Sequence, residues 1–133
     1  MPDADLSHIA LLAGRLADAS GAVIRQHFRR PVNVDDKADL SPVTIADRDA
    51  EKAIRDILAD ERPDDGIIGE EFGKSNETSE FVWVIDPIDG TKSFIAGRPI
   101  FGTLIALMQN SSPVLGVIDQ PVNGERWIGV HGA

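Results

Sequence analysis

The sequence contains no cysteine, which excludes disulfides, thiolate zinc sites and thiol catalysis. No apolar run approaches the roughly 20 residues that a membrane span needs. The opening Met1-Pro2-Asp3-Ala4-Asp5 is acidic where a signal peptide would be basic. An excess of positive charge is also missing: 13 basic side chains face 22 acidic ones, a net charge of -9, which argues against nucleic acid or an anionic membrane as the main partner. Repeats, low-complexity stretches and internal linkers are absent too. The expectation from these absences is a cytoplasmic protein.

What is present fits one folded domain. At 133 residues, with 42% apolar and 26% charged side chains, the chain lies far from the composition of disorder. A domain of this size buries roughly two-thirds of the surface its unfolded chain exposes. The acidic balance does not exclude anionic substrates, because carboxylates can gather divalent cations that in turn attract a phosphate.

Apolar residues at Leu6, Ile9, Ala10, Ala13, Leu16, Ala17, Val23 and Ile24 recur at the spacing of one helical face and predict a long amphipathic helix over 5–29, closed by Pro31. Residues 32–42 read as an extended charged segment. A second helix is expected from Thr44, where Thr44 and Asp47 have capping-box spacing, with Ala50, Ala53, Ile54, Ile57 and Leu58 as its buried stripe. Beyond the turn at Pro63-Asp64-Asp65-Gly66, short β-branched runs predict strands at 66–69, 81–86, 101–108, 114–119 and 125–130, with a hairpin turn at Asn123-Gly124. This pattern is α+β: two amphipathic helices packed on a largely antiparallel sheet.

The chemistry is concentrated in Trp83-Val84-Ile85-Asp86-Pro87-Ile88-Asp89-Gly90-Thr91, preceded by Gly69-Glu70-Glu71. A buried strand runs into two aspartates separated by a proline that fixes the backbone and followed by a glycine that lets it turn. Asp86, Asp89 and the Ile88 carbonyl are suitable oxygen donors for a hard cation such as magnesium, and Glu70, at the end of another strand, completes the cluster. Asp-Pro and Asp-Gly pairs also occur in ordinary turns, but turn chemistry alone does not explain acids at the ends of two apolar strands. Gly90-Thr91 opens a short helical turn through residues 92–96, closed by Gly97. Its first amides suit a phosphate, and Thr91 serves there equally well as a simple N-cap.

The run Asp86-Pro87-Ile88-Asp89-Gly90-Thr91, with Gly69-Glu70-Glu71 and Val43-Thr44-Ile45-Ala46-Asp47 upstream, resembles the inositol monophosphatase family signature in order and spacing. The resemblance implies the N-terminal half of an αβαβα sandwich and a magnesium-dependent phosphomonoesterase. It implies that Glu70, Asp86, the Ile88 carbonyl and Asp89 are metal ligands, Glu70 and Asp86 on a first ion and Asp86 and Asp89 shared with a second. Glu71 would lie near a weaker third ion. Thr91 with Glu70 would orient the attacking water, Asp47 would polarise that threonine, and Asp89, Gly90 and Thr91 would meet the phosphate. Lys37 would sit on a loop closing over the site. Helix capping by Asp47 and a solvated loop charge at Lys37 are the alternatives.

Residues 40–47, 97–107, 116–121 and 125–127 look most like the histidinol-phosphate phosphatase branch, which implies L-histidinol phosphate as substrate. Inositol 1-phosphate or another small phosphomonoester is the alternative, and a non-catalytic metal-binding fragment is a third reading. With no cysteine, and with His8, His27 and His131 scattered, the expected mechanism is in-line attack by water without a covalent phosphoenzyme. The family continues past the equivalent of Ala133 into a second half carrying a further metal-ligating aspartate. Residues 1–133 are therefore expected to be the N-terminal metal-binding domain, with the C-terminal domain absent, weak or no catalysis alone, and a dimer or larger assembly formed through exposed apolar surface.

Overall fold

The computed structural model describes residues 3–28, 42–90, 93–94, 97–99 and 101–132. Helix α1 spans Asp3–His27 and α2 spans Pro42–Glu61. Six strands follow: β1 Gly66–Gly69, β2 Gly73–Ser75, β3 Phe81–Asp89, β4 Gly102–Gln109, β5 Ser112–Gln120 and β6 Glu125–Val130. They form one sheet in the order β2-β1-β3-β4-β5-β6. The β1–β3 pair is parallel and every other pair is antiparallel, so the sheet is mixed and mostly antiparallel.

Both helices lie on one face of this sheet. Leu6, Ile9, Leu12, Ala13, Leu16 and Ala17 of α1 meet Trp83, Ile85, Ile105, Leu107, Leu115 and Val117 in the main core, joined by Ile54 and Leu58 of α2. A second cluster of Ile24, Ala46, Ala50, Ile88, Phe94 and Phe101 lies beneath the C-terminal end of β3. Phe94 and Phe101 meet edge to face with ring centroids 5.3 Å apart, and Phe28 stands 5.7 and 5.5 Å from them. The opposite sheet face is open. Val84, Ile118 and Trp127 are exposed there, Trp127 by 58%.

Several boundaries differ from the expectation. Helix α2 begins at Pro42 rather than Thr44. Proline suits a first helical turn because its missing N–H would have no intrahelical partner there. Thr44 and Asp47 consequently lie inside the helix rather than at its start. Strand β2 was not anticipated, since Gly73-Lys74-Ser75 is short and exposed along its length and lacks any apolar alternation. The hairpin at Asn123-Gly124 is present with four residues between β5 and β6; Gly124 has φ 72° and its N–H donates to Gln120 O at 3.0 Å. The predicted end of α1 and the extended segment at 32–41 lie outside the described residues.

Candidate metal centre

The site forms where β1 and β3 end side by side. Because these strands are parallel, with Gly69 opposite Ile85, their C-terminal ends deliver the turn at Glu70-Glu71 and the segment Asp86–Asp89 to the same edge of the sheet. Glu70 follows β1 directly and is exposed, whereas Asp86 is half-buried.

Two aspartates three residues apart would point to opposite faces of a regular strand. Between β3 and β4 the register passes from Asp86↔Leu104 to Asp89↔Gly102, so β3 carries one extra residue. This β-bulge resets the alternation and puts both acids on one side. Pro87 within it is fully buried and has no N–H to leave unpaired, and the buried Thr103 hydroxyl donates to its carbonyl at 2.7 Å. The Ile88 side chain is locked into the second core cluster, which fixes the backbone that carries its carbonyl.

Helix α2 supplies the third wall. Asp47 is 7% exposed, and its carboxyl is pushed up to about 7 by burial first and then by the charges of Glu71, Asp86 and Glu70, with partial relief from the Ile88 backbone amide. Asp86 is pushed up to about 6 by burial and then by Glu70 and Asp89, with the same amide opposing. Glu71 is raised as well, by burial and then by Glu51 and Glu70, while Arg48 opposes. Six acids, Asp47, Glu51, Glu70, Glu71, Asp86 and Asp89, therefore share one electrostatic neighbourhood. Asp47 Oδ1 and Asp86 Oδ1 are both buried without a hydrogen-bond partner. Buried carboxylate oxygens that lack donors suit a cation, and an all-oxygen set suits a hard one. Among the described residues, no three acidic or histidine side chains stand together in coordinating geometry.

Gly90, with φ 100°, leads from this edge into a short helical turn. Phe94 N–H donates to Gly90 O at 3.1 Å, and the turn closes at Gly97, φ 72°, where Gly97 and Arg98 N–H donate to Phe94 O and Ser93 O at 3.1 and 2.9 Å. That paired closure is a Schellman motif. Gln120 braces the segment beyond, its Nε2 donating to Pro99 O and Phe101 O at 3.1 and 2.9 Å. Lys37 and Thr91 lie outside the described residues.

One residue was missed by sequence reasoning. Glu51 of α2 is fully buried, and its carboxylate accepts the N–H groups of Glu71 and Phe72 at 3.1 and 2.9 Å and Arg55 Nε at 3.0 Å. Its signal was available: Asp47, Glu51 and Arg55 follow at intervals of four along one helical face that also carries Ala46, Ala50, Ile54 and Leu58.

An α+β domain that gathers oxygen donors at the ends of adjacent strands is of the hard-cation-binding class. The family model of the inositol monophosphatase family matches residues 5–133, and the chain belongs to that family, whose members are metal-dependent phosphomonoesterases. It is 52% identical to the chloroplastic bifunctional phosphatase IMPL2 of Arabidopsis thaliana over 99% of this chain and 39% of that protein. It is 42% identical to the histidinol-phosphatase of Mycobacterium tuberculosis over 92% of this chain and 47% of that one. An inositol monophosphatase from Zymomonas mobilis superposes with TM-score 0.84 at 53% identity, covering 95% of this chain and 48% of that one. The inositol monophosphatase from Anabaena superposes with TM-score 0.81 at 31% identity, covering 96% and 46%. The chain thus spans about half the length, or less, of the relatives it matches.

Proposed function

We propose that residues 1–133 are the N-terminal metal-binding domain of a magnesium-dependent phosphomonoesterase that acts on L-histidinol phosphate. The observation that carries the metal site is the pair of buried, unpartnered oxygens, Asp47 Oδ1 and Asp86 Oδ1, set among Glu70, Glu71 and Asp89. Glu70, Asp86, the Ile88 carbonyl and Asp89 would hold the ions, with Glu71 beside them. When bound, magnesium supplies Lewis acidity to the phosphate and lowers the pKa of the attacking water.

The chain's own groups do the rest. Thr91 and Glu70 would orient the water, and Asp47, buried on α2, would polarise the threonine. The amides of Gly90 and Thr91 receive the phosphate at the start of the short helical turn. Lys37 joins from the segment between the helices. The convergence of carboxylates favours direct attack by water, in line with the departing alkoxide, without a covalent phosphoenzyme.

Histidinol phosphate is favoured by relatives called histidinol-phosphatase in three organisms, at 42, 45 and 44% identity. Inositol 1-phosphate is the second reading, supported by the 53% identity to the Zymomonas mobilis inositol monophosphatase. Phosphate release from the two substrates side by side, by the full-length chain with magnesium present, separates them: faster release from inositol 1-phosphate rejects the first reading. Magnesium binding with release from neither points to a non-catalytic metal-binding module. No helix among the described residues is long and apolar enough to cross a membrane, and a cytoplasmic location is the reading adopted. The open face around Val84, Ile118 and Trp127, next to the edge strand β6, is taken to receive a second copy of the chain.

A further inference from the structure

We propose that Glu51 is a positioning residue that holds the turn bearing Glu70 and Glu71 in register with the end of β3, so that acids from two strand ends can share one cation. The inference rests on the metal-dependent reading above and adds a residue to it.

A buried carboxylate is costly, and an aliphatic side chain of similar size would fill the same space without desolvating a charge. What an aliphatic residue cannot do is accept hydrogen bonds. Glu51 spends one oxygen on the Glu71 amide, 3.1 Å from Oε1, and the other on the Phe72 amide, 2.9 Å from Oε2. These are successive donors of the three-residue turn between β1 and β2. Arg55, one helical turn further along α2, neutralises the carboxylate through Nε at 3.0 Å and donates from Nη2 to Gly73 O at 2.6 Å, gripping the far end of the same turn.

The strand side is shaped to match. Gly69 lies so close to the Glu51 carboxylate that any side chain there would overlap it. Asp47 sits one turn before Glu51 on the same helix and is electrostatically coupled to Asp86 and Glu70. Helix α2 is therefore a rigid ruler, with Asp47 at the end of β3 and Glu51 beneath the turn after β1. Groups that orient ligands from behind typically matter to affinity about tenfold to a hundredfold.

The test is Glu51→Gln in this chain, which keeps size and one acceptor oxygen but turns an NH2 toward an amide donor. Magnesium alone is titrated calorimetrically, and the Glu71 and Phe72 amides are followed by nitrogen-15 NMR. The expected result is magnesium affinity weakened about tenfold or more, with both amides shifted and faster in hydrogen exchange. Unchanged affinity overturns the proposal, whatever the amides do. Weakened affinity with both amides unmoved also overturns it, because charge alone would then account for the loss. Should E51Q fail to fold, Glu51→Asp, which keeps the charge and withdraws it from the amides, is read by the same two criteria. Failure of the unaltered chain to bind magnesium rejects the metal-dependent reading itself and shows before any variant is made.

Discussion

Gly69 and Glu51 are complementary across the helix–sheet interface: the glycine leaves the space that the buried carboxylate fills, and the carboxylate caps the turn that the glycine begins. Each residue explains the other. A β-strand gains nothing from glycine in itself, so the close approach is its reason here.

Gly69→Ala should accordingly destabilise the fold by about 1 to 3 kcal/mol, the usual range for overpacking a filled site. Urea denaturation of the two forms measures it. A difference within about 0.5 kcal/mol, typical of an unconstrained surface change, would show that the contact relaxes freely.

The metal-free chain should lose stability as pH rises from about 4 to about 7. Asp47 and Asp86 are pushed up to about 7 and about 6, so the folded chain keeps protons that the unfolded chain has already released above about pH 4. Between about pH 4 and 7 the folded state binds more protons than the unfolded state, and the slope of stability against pH is negative. Asp47→Asn removes the larger part of this dependence and should raise stability at pH 7.5 by about 2 kcal/mol. Melting curves at pH 5 and pH 7.5, without divalent ions, check both statements.

Magnesium should reverse that loss, since it pairs with the charges that repel one another. Binding is expected to release protons and to tighten from pH 6 to pH 8. Asp86→Asn should weaken magnesium binding by at least about tenfold, with Asp89→Asn behaving similarly. Calorimetry in two buffers of different ionisation enthalpy gives affinity and proton release together.

Thr103→Val tests the bulge. Its hydroxyl is the donor to the buried Pro87 carbonyl, and removing it strands an acceptor at a cost of about 1 to 3 kcal/mol. Because the same bulge sets the direction of Asp86 and Asp89, magnesium affinity should fall along with stability. Loss of stability with full affinity would show that the bulge persists without this hydrogen bond.

The open sheet face predicts association that depends on apolar contact. Trp127→Lys, or Ile118→Lys, places a charge on a side chain now 58% or 51% exposed. Light scattering at rising concentration should show the unaltered chain heavier than a monomer and both variants closer to one. A unaltered chain that stays monomeric at high concentration rejects the reading.

Apolar periodicity assigned both helices, and short β-branched and aromatic runs between turn signals assigned five of the six strands and with them the α+β class, because both are local properties of the chain. The run from Asp86 to Thr91 and the Gly69-Glu70-Glu71 triplet were equally legible, as chemically dense motifs and as a family resemblance. Tertiary structure decided the rest. The parallel pairing of β1 with β3 brings Glu70 to Asp86, and pairing partners distant in sequence leave no local trace. The bulge that turns Asp86 and Asp89 to one side exists only against β4, since an extra residue is defined by the strand opposite. Helical spacing could place Glu51 on the face that carries Ala50 and Ile54, but its partners could not be read there: the backbone amides that its carboxylate accepts lie 20 and 21 residues later and meet it only in the folded chain.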